Sequence, residues 1–239
     1  MRLRTQTDPD SLLDDGRHRP WWGELRDPAL SIMLVVLFLV VFVAAPGVAM
    51  GSIAAGVALE VLLLASAFLV ILLSRSRLTA ILAAGAMLVA LAGSVCNFLL
   101  PSPSLASLAQ VGLLTGSVVA AYVIGSAVFA PGKVTTHRVL GAIVLYLDLG
   151  MMFSASYRLA WDLLPSALSG IPAGTQPWQA AGTILYFSFV TLTSVGYGDI
   201  TPVHPIVRSL ANLEAIIGQL FPATLLARLI SLELARHGR

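Results

Sequence analysis

Ser194-Val195-Gly196-Tyr197-Gly198-Asp199 lies between two strongly apolar segments, and its reading decides how the rest of the chain is understood. Glycine adopts backbone conformations closed to other residues, so Gly196 and Gly198 allow an extended run to turn successive carbonyl groups the same way. A row of such oxygens suits a cation that has shed its water. The flanking residues extend the phrase: Tyr186-Phe187-Ser188-Phe189-Val190-Thr191-Leu192-Thr193 precedes it and Ile200-Thr201-Pro202 follows.

The setting is a membrane. Of the 239 residues, 57% are hydrophobic and 11% charged, and the mean hydropathy is +0.89, far from an ordinary soluble domain. A hydrocarbon core about 30 Å thick takes roughly 20 helical residues to cross. Spans are predicted at Ala29 to Ala49, Gly51 to Leu73, Leu78 to Leu99, Leu105 to Phe129, Val139 to Leu163 and Ile206 to Leu232. A seventh apolar segment, Trp178 to Leu192, is too short to cross and runs straight into the glycine-containing stretch. It reads as a re-entrant pore helix, because non-helical backbone at membrane depth is tolerated only against protein or a water-filled cavity. The predicted fold class is an all-α membrane protein of six transmembrane helices plus this re-entrant helix.

Basic residues set the expected orientation. Arg2, Arg4, Arg17, Arg19 and Arg26 precede the first span, Arg75 and Arg77 follow the second, Lys133 and Arg138 follow the fourth, and Arg228, Arg236 and Arg239 lie in the tail. The alternate loops, Pro46 to Met50 and Leu99 to Ser104, have none. By the positive-inside rule both termini are cytoplasmic and the glycine stretch faces outward. No signal-peptide pattern precedes Ala29. The single cysteine, Cys96, excludes an intrachain disulfide framework. His18, His137, His204 and His237 have no metal-ligand spacing, and nothing else suggests an enzyme.

With the phrase from Thr191 to Pro202 placed between two spans, the chain resembles the potassium channel superfamily. The resemblance runs from roughly Gly141 to Arg236 and is closest to the small pore module that also occurs in prokaryotes. It implies a passive, potassium-selective pore in the cell membrane, surrounded by lipid. It also implies a homotetramer: one filter stretch per chain requires three further copies. The carbonyls of Ser194, Val195, Gly196 and Tyr197 and the Ser194 hydroxyl would hold permeant K+, with Gly198 completing the filter. No other cofactor and no nucleic acid are expected. Ser194 stands where the family usually has Thr, keeping the hydroxyl but losing a methyl group and its rotamer stiffness.

The resemblance assigns filter support to Asp199, Thr193, Tyr186, Phe187, Val190 and Glu214. Tyr197 is expected in a cuff formed with Tyr186 and Phe187. Val190 occupies a position where some relatives carry a Glu that engages the Asp, so Asp199 is expected to be less tightly held. Gly218 and Pro222 in the last span permit bending and are gating candidates, with a fixed kink as the alternative.

The chain is thus divided into a cytoplasmic segment 1–28, a four-span domain 29–130, a linker 131–138 and a pore domain 139–239. In the last, an outer helix is expected at 139–163, a pore helix at 178–192 capped by Thr175 with Pro177 in its first turn, the filter at 194–199 and an inner helix at 206–232. Leu105 to Phe129 contains no basic residue, which excludes a conventional voltage sensor: a charge moved through the field contributes about 2.3 kcal/mol per 100 mV. Glu60, an intramembrane carboxylate, is a further gating candidate or a packing residue. Asp148 is expected to face another helix, and Arg158, Trp161 and Asp162 to anchor the outer interface. No Gly-rich phosphate loop is present, so gating is expected from the membrane, the filter, pH or a separate subunit. Beside this reading stand a weakly selective cation channel of the same fold and a non-conducting membrane sensor or assembly subunit.

Overall fold

Hydrophobic length dictates the architecture. Six helices are long and apolar enough to cross a membrane among the described residues: Pro28–Ala49, Ile53–Leu73, Arg77–Leu99, Ser104–Val128, Arg138–Leu163 and Pro205–Arg228. The structure, a computed structural model, describes residues 21–100, 102–130, 136–164, 166–172 and 174–237, without side chains for 21–27, 103, 136–137 and 229–237. The first 20 residues of the expected amino-terminal segment, the Trp21 and Trp22 side chains, and residues 131–135 of the linker therefore lie outside it.

The first span is α1 (Trp21–Leu39), a π turn at Val40–Ala44 and α2 (Ala45–Ala49). The wide turn precedes Pro46, whose ring has no N–H and whose bulk would strike the carbonyl of the preceding turn in a regular helix. The segment from Pro46 to Met50, expected as a loop, is consequently helical as far as Ala49. Next come α3 (Ile53–Leu73), α4 (Arg77–Leu99) and α5 (Pro103–Val128). Ser52 and Ser76 cap α3 and α4 through side-chain oxygens that accept from Ala55 and Thr79 amides. Small residues bring α4 and α5 together, with Gly112 against the backbone of Ala86 and Ala90.

The outer helix α6 (Thr136–Leu163) packs along α5 and carries an apolar core with α1 and α3 that includes Met33, Leu37, Val70, Ile124 and Val144. The pore helix α7 (Pro177–Leu192) and the inner helix α8 (Pro205–His237) complete the molecule. Their second core gathers Phe153, Tyr157, Ala180, Ile184, Phe187, Ile200 and Val207.

Two features depart from expectation. Thr175 does not cap α7: its hydroxyl donates to the Pro172 carbonyl at 2.7 Å. Gln176 is the cap residue, and its amide N–H donates to Gln179 Oε1 at 2.9 Å, the reciprocal half of a capping box. Pro177 occupies the first turn, where its missing N–H costs nothing. The outer turret between α6 and α7, to which the sequence reading assigned no regular element, contains β1 (Leu168–Ser169), which pairs antiparallel with β2 (Thr201–Pro202) just beyond the filter stretch. The outer end of that stretch is thereby held to the turret by backbone hydrogen bonds, including Val203 N–H to the Ala167 carbonyl at 3.0 Å.

The first span also does more than stand beside the pore. Gly182 of α7 lies directly on the Ala45 carbonyl, where any Cβ would collide. The outer end of the first span is therefore seated on the pore helix.

Candidate functional site

The stretch from Ser194 to Asp199 begins as the termination of α7. The Ser194 amide donates to the Thr191 carbonyl at 2.9 Å and the Val195 amide to the Val190 carbonyl at 3.0 Å. This is the paired hydrogen-bond pattern of a Schellman motif, whose left-handed residue is usually glycine. Here it is Ser194, with φ 58°, a conformation that costs a non-glycine residue roughly 1–2 kcal/mol. Gly196 (φ 59°) and Gly198 (φ 78°) are left-handed too. Every second residue is thus reversed, which turns successive carbonyls toward one side of the strand. All six residues are exposed in the single chain, Tyr197 at 72%.

Behind this stretch lies a polar cluster in an apolar core. Glu214 of α8 is fully buried, at 0% exposure. Its Oε2 accepts from the Tyr157 hydroxyl of α6 at 2.6 Å and its Oε1 accepts from the Ser188 hydroxyl of α7 at 2.5 Å. Ser188 Oγ also lies 2.8 Å from the Gly150 carbonyl of α6. One carboxyl group thereby joins outer, pore and inner helices, where a buried polar group must find partners. Glu214 was expected to stand near the pore helix; Tyr157 and Ser188 were missed, since an isolated Tyr or Ser in an apolar segment carries no spacing signal.

Tyr186 and Phe187 diverge. The Tyr186 side chain is half-exposed and lies within electrostatic reach of the Asp199 carboxylate. Phe187, expected beside it in a cuff around Tyr197, is instead buried edge-on to Tyr157, with ring centroids 4.9 Å apart. The physical reason is helical rotation: adjacent residues on a helix face directions about 100° apart. The Val190 carbonyl accepts from Val195, and Thr193 turns its hydroxyl back to the Phe189 carbonyl at 2.7 Å.

On α8, Gly218 packs against the Leu192 carbonyl at the end of α7, where a Cβ would overlap the oxygen. The next residue, Gln219, donates from Nε2 to Ser194 Oγ at 2.9 Å. Helix α8 continues without interruption through Pro222. Further along α8, Arg228 reaches the carbonyls just past the end of α5, donating to Phe129 at 2.9 Å and Ala130 at 2.8 Å, with its guanidinium 5.4 Å from the Phe129 ring centre. Arg138 donates to the same Ala130 carbonyl at 2.8 Å.

Arg158 of α6 reaches the start of α7. It is buried, pairs with Asp162 at 3.4 Å, stacks on Trp161 at 4.9 Å and donates to the Pro177 carbonyl at the start of α7. Glu60 and Asp148 line one cavity of about 50 Å³ between the first span, α3, α4, α5 and α6, room for a few water molecules. Ser94 Oγ lies 3.5 Å from Glu60 Oε1. Asp148 is 4% exposed, and its Oδ2 has no hydrogen-bond partner.

Comparison with known proteins agrees with this geometry. Residues 139–233 match the family described as "Ion channel". Three relatives are similar over parts of the chain. Two pore potassium channel c of Oryza sativa subsp. japonica is 34% identical over 97 residues, covering 40% of this chain and 19% of the relative. Protein LctB of Geobacillus stearothermophilus is 50% identical over 46 residues, covering 19% of this chain and 34% of its own length. The inward rectifier potassium channel Kirbac3.1 of Paramagnetospirillum magnetotacticum is 29% identical over 76 residues, covering 32% of this chain and 23% of its own. The chain thus spans between a fifth and a third of the length of these relatives. The matched family is an ion channel family and not an enzyme family, and two of the relatives are named as potassium channels.

Proposed function

We propose that the chain is one subunit of a homotetrameric, passive, potassium-selective channel of the cell membrane, with both termini cytoplasmic. The observation that carries this reading is the alternation of left-handed backbone at Ser194, Gly196 and Gly198. Four such strands around an axis offer rings of carbonyl oxygen from Ser194, Val195, Gly196 and Tyr197, supplemented by the Ser194 hydroxyl. These oxygens replace the hydration shell of K+, which is the transported substrate. The carboxyl end of α7, at Leu192 and Thr193, adds the negative end of a helix dipole on the cytoplasmic side of the filter.

The exposure of Val195 (52%) and Tyr197 in a single chain supports assembly, since an apolar strand at membrane depth requires neighbouring protein. Asp199 with Tyr186, and Glu214 with Ser188 and Tyr157, support the filter from behind; Gly218, Pro222 and Glu60 are the candidates for control of opening.

The test is the reversal potential of the purified protein in planar bilayers, with K+ on one side and Na+ on the other. A value near the potassium equilibrium potential is expected. A robust current reversing near zero would replace this reading with a weakly selective cation channel, and the absence of current at all voltages and pH values with a non-conducting role.

A further inference from the structure

We propose that Gln219 is a specificity-determining residue of the filter: its side-chain amide orients the Ser194 hydroxyl and thereby sets the strength of the innermost ion site. This rests on the potassium-channel reading above and extends it to a residue on another helix.

A serine hydroxyl carries one proton and two acceptor positions and rotates freely unless something fixes it. At Ser194 the need is acute. The residue has no β-methyl to restrict its rotamer, and it sits in the left-handed position that ends α7. Left free, such a hydroxyl turns back to a carbonyl of the preceding helical turn, as Thr191 and Thr193 do beside it, donating to the Phe187 and Phe189 carbonyls. Gln219 Nε2 donates to Ser194 Oγ at 2.9 Å. That bond occupies one acceptor position and holds the hydroxyl in place, leaving the second for an ion.

The contact depends on how closely α8 approaches. Gly218, immediately before Gln219, has its Cα against the Leu192 carbonyl, two residues before Ser194. The absence of a side chain at 218 brings the inner helix close enough for Gln219 to span the gap. The Gly218–Gln219 pair therefore ties the inner helix to the mouth of the filter by a backbone contact and a side-chain hydrogen bond. Movement of α8 acts on the innermost ion site without an intermediary.

The experiment uses the full chain in planar bilayers with cytoplasmic Ba2+ as the probe, a divalent ion of nearly the radius of K+ that reads the innermost site. Gln219→Leu removes the donor at similar volume. It is expected to weaken Ba2+ block about fivefold, the factor a single hydrogen bond is worth, and to move the K+/Na+ reversal potential toward zero. Ser194→Ala is expected to weaken block by a similar factor. The double variant is expected to be no weaker than Ser194→Ala alone, because the two residues act through one bond. If Gln219→Leu does not assemble, Gln219→Met replaces it in the same cycle.

Unchanged block in the Gln219 variant, or effects that multiply in the double variant, overturn the proposal while leaving the channel reading intact. A wild-type protein that carries no potassium-selective current overturns both.

Discussion

Ser188 Oγ of the pore helix lies 2.5 Å from Glu214 Oε1 of the inner helix, inside a core from which both are wholly withdrawn from solvent. With Tyr157 on the second carboxyl oxygen at 2.6 Å, the arrangement satisfies three polar groups at once. Its weakness is mutual dependence, because removing the carboxyl group strands the Tyr157 hydroxyl and leaves Ser188 only the Gly150 carbonyl. Glu214→Ala is expected to destabilise the folded chain by about 3 kcal/mol. Glu214→Gln, which keeps an acceptor oxygen, is expected to retain most of the stability. The thermal unfolding midpoint in detergent and the fraction of assembled protein on size exclusion check this; equal behaviour of the two variants would refute it.

Gly218 and Pro222 are expected to respond in opposite directions. An added Cβ at 218 meets the Leu192 carbonyl, so Gly218→Ala is expected to cost about 1–3 kcal/mol, as overpacking does, and to reduce current. Helix α8 passes through Pro222 unbroken, and Pro222→Ala returns a backbone hydrogen bond to it. A raised unfolding midpoint is expected there. A silent Gly218→Ala would mean that bending, not close approach, is what the glycine serves.

Tyr186→Phe removes only the hydroxyl, which lies within electrostatic reach of the Asp199 carboxylate. A less firmly held outer end of the filter stretch is expected. The current of the variant should therefore decay faster than that of the wild type when external K+ is lowered. Unaltered decay across that range would show that Asp199 is held by other contacts.

Arg228 joins the inner helix to the carboxyl end of α5 through the Phe129 and Ala130 carbonyls. These bonds connect α8 to the end of the fourth span. Arg228→Gln keeps a polar side chain but loses the charged fork and its reach. The expected outcome is an altered open probability with an unchanged reversal potential, resolved in single-channel records. A shifted reversal potential would place the effect in the filter instead.

Asp148 is buried with one carboxyl oxygen unpartnered beside a small cavity. Replacing an uncompensated buried polar group with an apolar one of similar size is often neutral or stabilising. Asp148→Leu is therefore expected to leave the unfolding midpoint unchanged or higher. A marked loss of stability would reveal a partner for the carboxyl group in the membrane-embedded assembly.

Spans and their number were legible in the chain because crossing a membrane requires a length of apolar helix, and length is a one-dimensional property. The re-entrant helix was legible for the same reason: Trp178 to Leu192 is apolar but too short. The location of the glycine stretch followed from chemistry that few other residues supply, as only glycine takes left-handed backbone freely at 196 and 198. Ser194 in that same conformation was not legible, because its φ is imposed by hydrogen bonds at the end of α7. Nor was the β pairing of the turret, which involves two residues on each side and leaves no alternating pattern to read.

What the sequence by itself determined is therefore the membrane setting, the six spans, the short helix and the place of the glycine-containing stretch. Only the tertiary structure decided the partners: Glu214 with Ser188 and Tyr157, Gln219 with Ser194, Phe187 with Tyr157 in place of the cuff, and Arg228 with the end of α5. The reason is geometric. Each pair joins different elements, and whether two side chains meet depends on how far each helix is rotated about its own axis. Hydrophobic length leaves that angle undetermined in helices that are apolar on every side, and close packing of small and large residues sets it.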